Sequence, residues 1–325
     1  MREPVRWGVL STARIGRTRV IPALAAADSG RVVAVSSRDH ARAAAVAAAS
    51  GADRSYGSYE ELVADPDVEA VYNPLPNHLH LPWTLAAIEA GKHVLCEKPL
   101  ATSAGDVRTM VDAAERAGVV LMEAFMYRYH PQWVEVRRRL DDGAVGEPRA
   151  IRAHFTYRNT DPDDIRNVAA YGGGGLLDIG CYPVSASRWL YGAEPEVVVV
   201  QRVVDEHFGV DAMASAVLDF GGRHASFTVS TQLEPSQGLE IHGTGGRVVV
   251  EVPFNPGADR STRVLVFAGG GHDAPPTEVV EVPAVDQYGR MVQAFARAVR
   301  GDRSEVIAPS DAIANAEVLD RLLAG

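Results

Sequence analysis

The chain has little cysteine: Cys96 and Cys181 are the only two in 325 residues. They lie far apart and form no CxxC pair, which speaks against a disulfide framework or a cysteine zinc site. Ten histidines are scattered, without HExxH, so no metal site is expected. Positive charge is in deficit, with 32 Lys and Arg against 42 Asp and Glu, a formal net charge of -10. Neither nucleic acid nor an anionic membrane is an expected partner. No apolar run reaches membrane-spanning length, and the start, MREPVRW, has no apolar signal region. A reducing cytoplasm is the expected location. Long repeats and low-complexity tracts are also missing. What remains is the composition of a globular protein, too long for one core, so two domains are expected.

The first part alternates strand and helix patterns. Strands are expected at 5–10, 31–36, 68–72, 92–96 and 119–123, and helices at 14–27, 41–50, 81–90 and 104–117. Strands alternating with helices of this length predict a parallel sheet with crossovers. After about Phe125 the pattern changes. A helix is expected at 132–140. Strands follow at 149–157, 196–204, 213–220, 224–230, 239–243, 247–252, 263–267 and 277–282. Several alternate apolar and polar residues, the mark of antiparallel strands with one covered face. Gly221-Gly222 and Gly245-Gly246 are hairpin turn signals. Residues 256–259 and 269–276 read as loops, and 291–299 and 311–323 as closing helices.

The segment 91–99, GKHVLCEKP, is central. Val94, Leu95 and Cys96 suit a buried parallel strand, and Glu97 and Lys98 stand at its carboxyl end before Pro99. Ligands of open α/β sheets bind beyond the carboxyl ends of the strands, so Lys98 is placed at the mouth of a site. A solvated Glu-Lys turn is the alternative.

After the first expected strand the sequence runs Ser11-Thr12-Ala13-Arg14-Ile15-Gly16. The GxGxxG fingerprint falls on Ser11, Ala13 and Gly16, with only the last glycine kept, a weak signal by itself. Small residues there still allow a pyrophosphate close to a helix N-terminus. At the end of the second strand stand Ser37 and Arg38, where an NAD site usually has Asp or Glu. A guanidinium suits a 2′-phosphate, so NADP is expected, with NAD as the alternative. Asp39, one residue on, weighs against this, and Arg38 as a plain loop cap is the other reading.

Together these residues resemble the glucose-fructose oxidoreductase / inositol dehydrogenase / MocA family over nearly the whole chain. The resemblance rests on Pro76-Asn77-x-x-His80, on Glu97-Lys98-Pro99, and on Gly173-Gly174-Gly175-Leu-Leu-Asp178-Ile-Gly180-Cys-Tyr182-Pro183. Segments 122–132, 159–167 and 173–184 look most like the NADP-dependent D-xylose dehydrogenase and dihydrodiol dehydrogenase branch. Inositol dehydrogenase-like members have histidine where Tyr182 stands. The resemblance implies an α/β fold. Residues 1–125 would form a Rossmann dinucleotide-binding domain with a parallel sheet. Residues 126–325 would form an α+β domain with a large, mostly antiparallel sheet, for substrate binding and oligomerisation.

It also implies catalytic roles for Lys98, Asp178 and Tyr182. The chemistry agrees: alcohol oxidation needs a base, and a nearby ammonium favours tyrosine's phenolate. Asp178 as a helix cap with Tyr182 in a core is the alternative. Leu75, Pro76, Asn77 and His80, placed after a strand, join Glu97, Lys98, Arg166 and the 11–15 loop in cofactor binding. Tyr127, Arg128 and His130 are either pocket residues or plain polar contacts. The expected function is hydride transfer between NADP and a cyclic sugar or polyol, with D-xylose-type 1-dehydrogenation first. A trans-dihydrodiol dehydrogenase, a ketosugar reductase, and a non-catalytic NADP(H)-sensing regulator are the alternatives. A homo-oligomer, dimer or tetramer, is expected.

Overall fold

Short β-branched runs and helices alternate through the first 125 residues, and each run becomes a parallel strand. The computed structural model describes residues 3–27, 30–271 and 273–325. The chain's expected start is thus described from residue 3, and the 269–276 loop except at residue 272. In order come β1 (Val5–Leu10), α1 (Ile21–Ala26), β2 (Gly30–Ser36), α2 (His40–Ser50), β3 (Arg54–Tyr56), α3 (Tyr59–Ala64), β4 (Ala70–Asn73), α4 (His80–Glu89), β5 (His93–Cys96), α5 (Ala104–Ala117) and β6 (Leu121–Glu123). The strands pair in parallel in the order β3-β2-β1-β4-β5-β6. The direction of winding changes between β1 and β4, the place where such sheets bind ligands. Val94, Leu95 and Cys96 of β5 are wholly buried, as a run covered on both faces requires.

Two elements were not anticipated. β3 is three residues long and half-buried, without an apolar run to signal it. α3 starts at a capping box in which Ser58 and Glu61 satisfy each other's backbone N–H groups. The helix expected from residue 14 contains a π-helical turn, Gly16–Val20, ahead of α1.

The later part holds α6 (Gln132–Asp141), β7 (Pro148–Arg158), α7 (Cys181–Tyr191), β8 (Val197–Val204), β9 (Asp211–Asp219), β10 (His224–Ser230), β11 (Gln232–Gly243), β12 (Gly246–Val250), β13 (Thr262–Ala268) and β14 (Glu278–Val282). These eight strands form one sheet, ordered β14-β13-β12-β11-β7-β10-β9-β8. All pairs are antiparallel except β7 with β10. Gly221 and Gly222 turn between β9 and β10 with φ of 69° and 85°, the left-handed pair a type I′ hairpin requires. Gly245 lies between β11 and β12, as expected. The chain ends with α8 (Gln287–Val299) and α9 (Pro309–Ala324).

Residues 1–129 with 287–313 make one compact unit, and 130–286 with 314–325 the other. Met291, Val292 and Phe295 of α8 are fully buried, and Phe295 packs on Trp7 of β1 at 4.9 Å between ring centroids. Among the described residues no helix is long and apolar enough to cross a membrane.

Candidate active site

In the first unit, four segments leave the carboxyl ends of β1, β2, β4 and β5 at the expected residues. After β1, Ser11 has φ 67°, a conformation that costs a side chain about 1–3 kcal/mol. It stands where the fingerprint has its first glycine, and its Oγ accepts from Ala13 N at 3.2 Å. Thr12 is buried, Ala13 and Ile15 are half-buried, and Arg14 is exposed. The Thr12 carbonyl accepts from Arg17 Nε at 3.0 Å.

After β2, Ser37 is buried and Arg38 exposed. Arg38 lies beside the Tyr59 phenol, whose pKa is raised by burial and countered by the guanidinium. Asp39 is the N-cap of α2, its Oδ1 accepting from Ala41 N at 3.0 Å and Arg42 N at 3.3 Å. Its carboxylate is thus engaged in ending the orphan N–H groups of the helix.

After β4 comes a 3-10 turn, Asn77–Leu79. Leu75 is buried, and Pro76 and Asn77 are half-buried. His80 has no exposed surface; its Nδ1 lies 2.8 Å from the Pro99 carbonyl and its Nε2 2.7 Å from that of Leu75. Burial lowers its imidazole to about 4, outweighing the two carbonyls that favour the charged form. His80 therefore sits between the 75–80 loop and the segment after β5 with both nitrogens turned to main chain, and the neutral ring donates its one N–H to one of the two carbonyls. Glu97 accepts from the Tyr72 hydroxyl at 2.7 Å. Lys98 is half-buried at the strand end, and its bond to Pro99 is cis. Glu123 of β6, not anticipated, accepts from Leu100 N at 2.8 Å and fastens the same segment.

The second unit explains the glycine run. A Cβ on Gly173 would stand 2.4 Å from the Arg166 carbonyl, and one on Gly174 2.3 Å from Asp211 Oδ1. Gly174 also has φ 111°, which L side chains rarely adopt. Asp211 of β9 accepts from Leu176 N at 2.6 Å and caps the helix that follows. Burial pushes its carboxyl up to about 6. That helix opens with a π-helical turn, Leu176–Gly180, and continues as α7. Single π turns inside helices recur at functional sites.

Asp178 lies in the π turn and Tyr182 in the first turn of α7, and strand β7 meets both. Phe155 packs against the Tyr182 ring at 5.5 Å, and Phe254 at 5.3 Å. Two residues along β7, on the same face, Tyr157 donates its hydroxyl to Asp178 Oδ2 at 2.5 Å. Arg166 Nε reaches that oxygen at 3.2 Å, and its Nη1 reaches Asp164 Oδ1 at 3.3 Å. Arg166, expected at the cofactor, is thus held on the Asp178 carboxylate. The carboxylate in turn holds the guanidinium's pKa up, while burial and the carboxylate hold the Tyr157 phenol well above its ordinary value. Tyr182 is 3% exposed. Tyr157 and Asp211 escaped sequence reasoning. Tyr157 sits in an ordinary alternating strand, and Asp211 meets the glycine run only through the fold.

Tyr127 is buried with its ring edge-on to Phe125, and His130 is buried with Nδ1 accepting from Gln132 N at 3.3 Å. Arg128 faces Asp311 at 3.9 Å.

Residues 5–125 match the model of an oxidoreductase family with an NAD-binding Rossmann fold, and residues 133–249 match the GFO/IDH/MocA C-terminal domain. An uncharacterized oxidoreductase from Rhizobium meliloti is 46% identical over 91% of this chain and 89% of its own. A D-xylose 1-dehydrogenase (NADP(+)) from Haloferax volcanii is 40% identical over 93% of each chain. A 3-ketoreductase from Actinomadura kijaniata, solved with NADP and TDP-benzene, superimposes with a TM-score of 0.93 at 34% identity, covering 99% of this chain and 98% of that one. That enzyme has also been solved with a tyrosine changed to phenylalanine and with a lysine changed to alanine.

Proposed function

The chain belongs to the GFO/IDH/MocA oxidoreductase family, and from that membership we propose that it oxidises a cyclic sugar or polyol with NADP. A pyranose oxidised at C1, of the D-xylose type, is the leading substrate. The observation that carries the cofactor half of this reading is the pair Arg38 and Asp39. Asp39, the carboxylate that counted toward NAD, is spent as the α2 cap, while the Arg38 guanidinium is exposed and suited to a 2′-phosphate. The residues after β1 fit the rest of the dinucleotide. Ser11, Thr12, Ala13, Arg14 and Ile15 would pass along the pyrophosphate, with small side chains where main chain must approach it. Pro76, Asn77, Glu97 and Lys98 would line the nicotinamide ribose.

When bound, the nicotinamide would accept the hydride. The chain's own residues handle the proton. A free tyrosine titrates near 10, too high for an efficient base at neutral pH. In this reading Tyr182 takes the hydroxyl proton, and the Lys98 ammonium favours its phenolate. Asp178 presents a fixed acceptor to a substrate hydroxyl. The solved neighbour's lysine and tyrosine variants support a lysine–tyrosine pair as the place to look. Running the same chemistry backward gives a ketosugar reductase, which the 3-ketoreductase neighbour favours as the second reading.

The test is a screen of aldoses, inositols, ketosugars and aromatic dihydrodiols with both cofactors. Turnover with an aldose and NADP supports the first reading. Binding of NADPH with no turnover on any of them overturns it in favour of a cofactor sensor. The protein is also proposed to act as a cytoplasmic homo-oligomer. Val197, Val199 and Val203 of β8 and Val217 of β9 are 51%, 61%, 49% and 44% exposed. Val199 pairs with Val217 across the strands, so these side chains share one uncovered sheet face. Sedimentation giving a monomer at micromolar concentration would remove this part.

A further inference from the structure

We propose that Tyr157 is a positioning residue for the reaction, acting through Asp178. The inference rests on the reading of Asp178 as a substrate-facing group. The geometry lies wholly within the second unit. Tyr157 and Arg166 place two donors on one carboxylate oxygen, Oδ2 of Asp178, at 2.5 and 3.2 Å. Two donors from different elements, β7 and the 3-10 turn Ile165–Asn167, fix the rotation of that carboxylate. The need for such a clamp is local. Asp178 sits in a π turn, whose hydrogen-bond ladder is wider than that of the α-helix beyond it.

Each partner is held in turn. Arg166 is anchored by Asp164, whose Oδ1 accepts from both Arg166 N at 2.9 Å and Nη1 at 3.3 Å. Tyr157 is anchored by its strand, and Phe155 on the same face packs against Tyr182. One strand face therefore sets the positions of Asp178 and Tyr182 together. The two tyrosines divide the work. Tyr157 gives its hydrogen to a carboxylate and stays a neutral phenol, so it is no base. Tyr182 has its ring among Phe155 and Phe254 and keeps the proton-transfer role. A positioning phenol of this kind moves turnover without moving cofactor binding.

The experiment is a double-mutant cycle of Tyr157→Phe and Asp178→Asn in the full chain. It is read by kcat, by KM, by NADPH titration of the enzyme without substrate, and by melting temperature. Tyr157→Phe alone should lower kcat by about 10-fold to 100-fold, the range for losing a hydrogen bond to a charged group. NADPH affinity should stay near wild type, and the melting temperature should fall by no more than about 12 °C. On the Asp178→Asn background the same change should cost less than about 2-fold, because the acceptor it serves is already altered. Full multiplicative loss in the double variant assigns Tyr157 an independent role and overturns the inference. So does wild-type turnover in Tyr157→Phe beside a damaged Asp178→Asn. A Tyr157→Phe chain that does not fold places the hydroxyl in the fold and overturns it too. Wild-type turnover in Asp178→Asn would instead overturn the underlying reading of Asp178.

Discussion

Gly174→Ala should loosen the start of the helix that carries Asp178, and the structure sets the size of the effect. Gly174 has φ 111°, and holding an L residue in such a region costs about 1–3 kcal/mol. The new Cβ would stand 2.3 Å from Asp211 Oδ1, so the carboxylate must move. Moving it gives up the 2.6 Å hydrogen bond from Leu176 N, and a hydrogen bond to a charged group is worth about 1.5–3 kcal/mol. The two effects add to about 2.5–6 kcal/mol, a large share of the roughly 5–15 kcal/mol that keeps a domain folded. At about 2–4 °C per kcal/mol, the melting midpoint should fall by about 5–25 °C. Calorimetry of the variant measures it. Gly192→Ala is the control: φ is 60° but no atom lies within 4 Å, so only a backbone cost of about 1–2 kcal/mol applies. Equal losses in the two variants would refute the Asp211 contact as the cause. A Gly174→Ala midpoint within about 2 °C of wild type would refute the whole account.

Arg38→Ala should weaken NADP by about 1.5–3 kcal/mol and leave NAD nearly unchanged; equal weakening of both in a binding titration would make Arg38 structural. Tyr182→Phe should lower turnover by about 10²–10⁴ with cofactor binding intact, and Lys98→Met should do similar damage. The double variant should lose far less than the product of the two, and steady-state kinetics decide. His80 gives a pH signature. Its folded pKa of about 4 lies below the 6.5 of an exposed ring, so the unfolded chain binds more protons between those values. Stability should therefore fall as pH drops through that window, by about 3 kcal/mol from this residue. Asp211, raised to about 6, acts in the opposite sense, so the measurement is the difference between wild type and His80→Gln. Denaturant unfolding at pH 7 and pH 5 should show a flatter dependence in the variant; an unchanged one would mean His80 is already charged in the fold.

The parallel sheet and the antiparallel one were both legible because strand and helix periods are local properties. A run such as Val94-Leu95-Cys96, buried on both faces, and an alternating one such as β10 differ within a few residues. β3 escaped because three residues carry no period, and the parallel pairing of β7 with β10 joins strands some seventy positions apart. Lys98 at a strand end followed from the strand before it. Asp178 and Tyr182 came from the resemblance, with their four-residue spacing agreeing.

What the sequence by itself determined is most of the elements and the turns that bear Ser11, Arg38, Asn77 and Lys98, since propensity, period and turn chemistry act between neighbours. The tertiary structure alone decided which of these side chains are engaged and with whom. Asp39 turned out to be a helix cap, His80 a ring set between two carbonyls, and Arg166 a partner of Asp178. Tyr157 and Asp211 entered the site from strands distant in sequence. Hydrogen bonds and close packing depend on distances of a few tenths of an ångström between residues remote along the chain, and no local pattern encodes those distances.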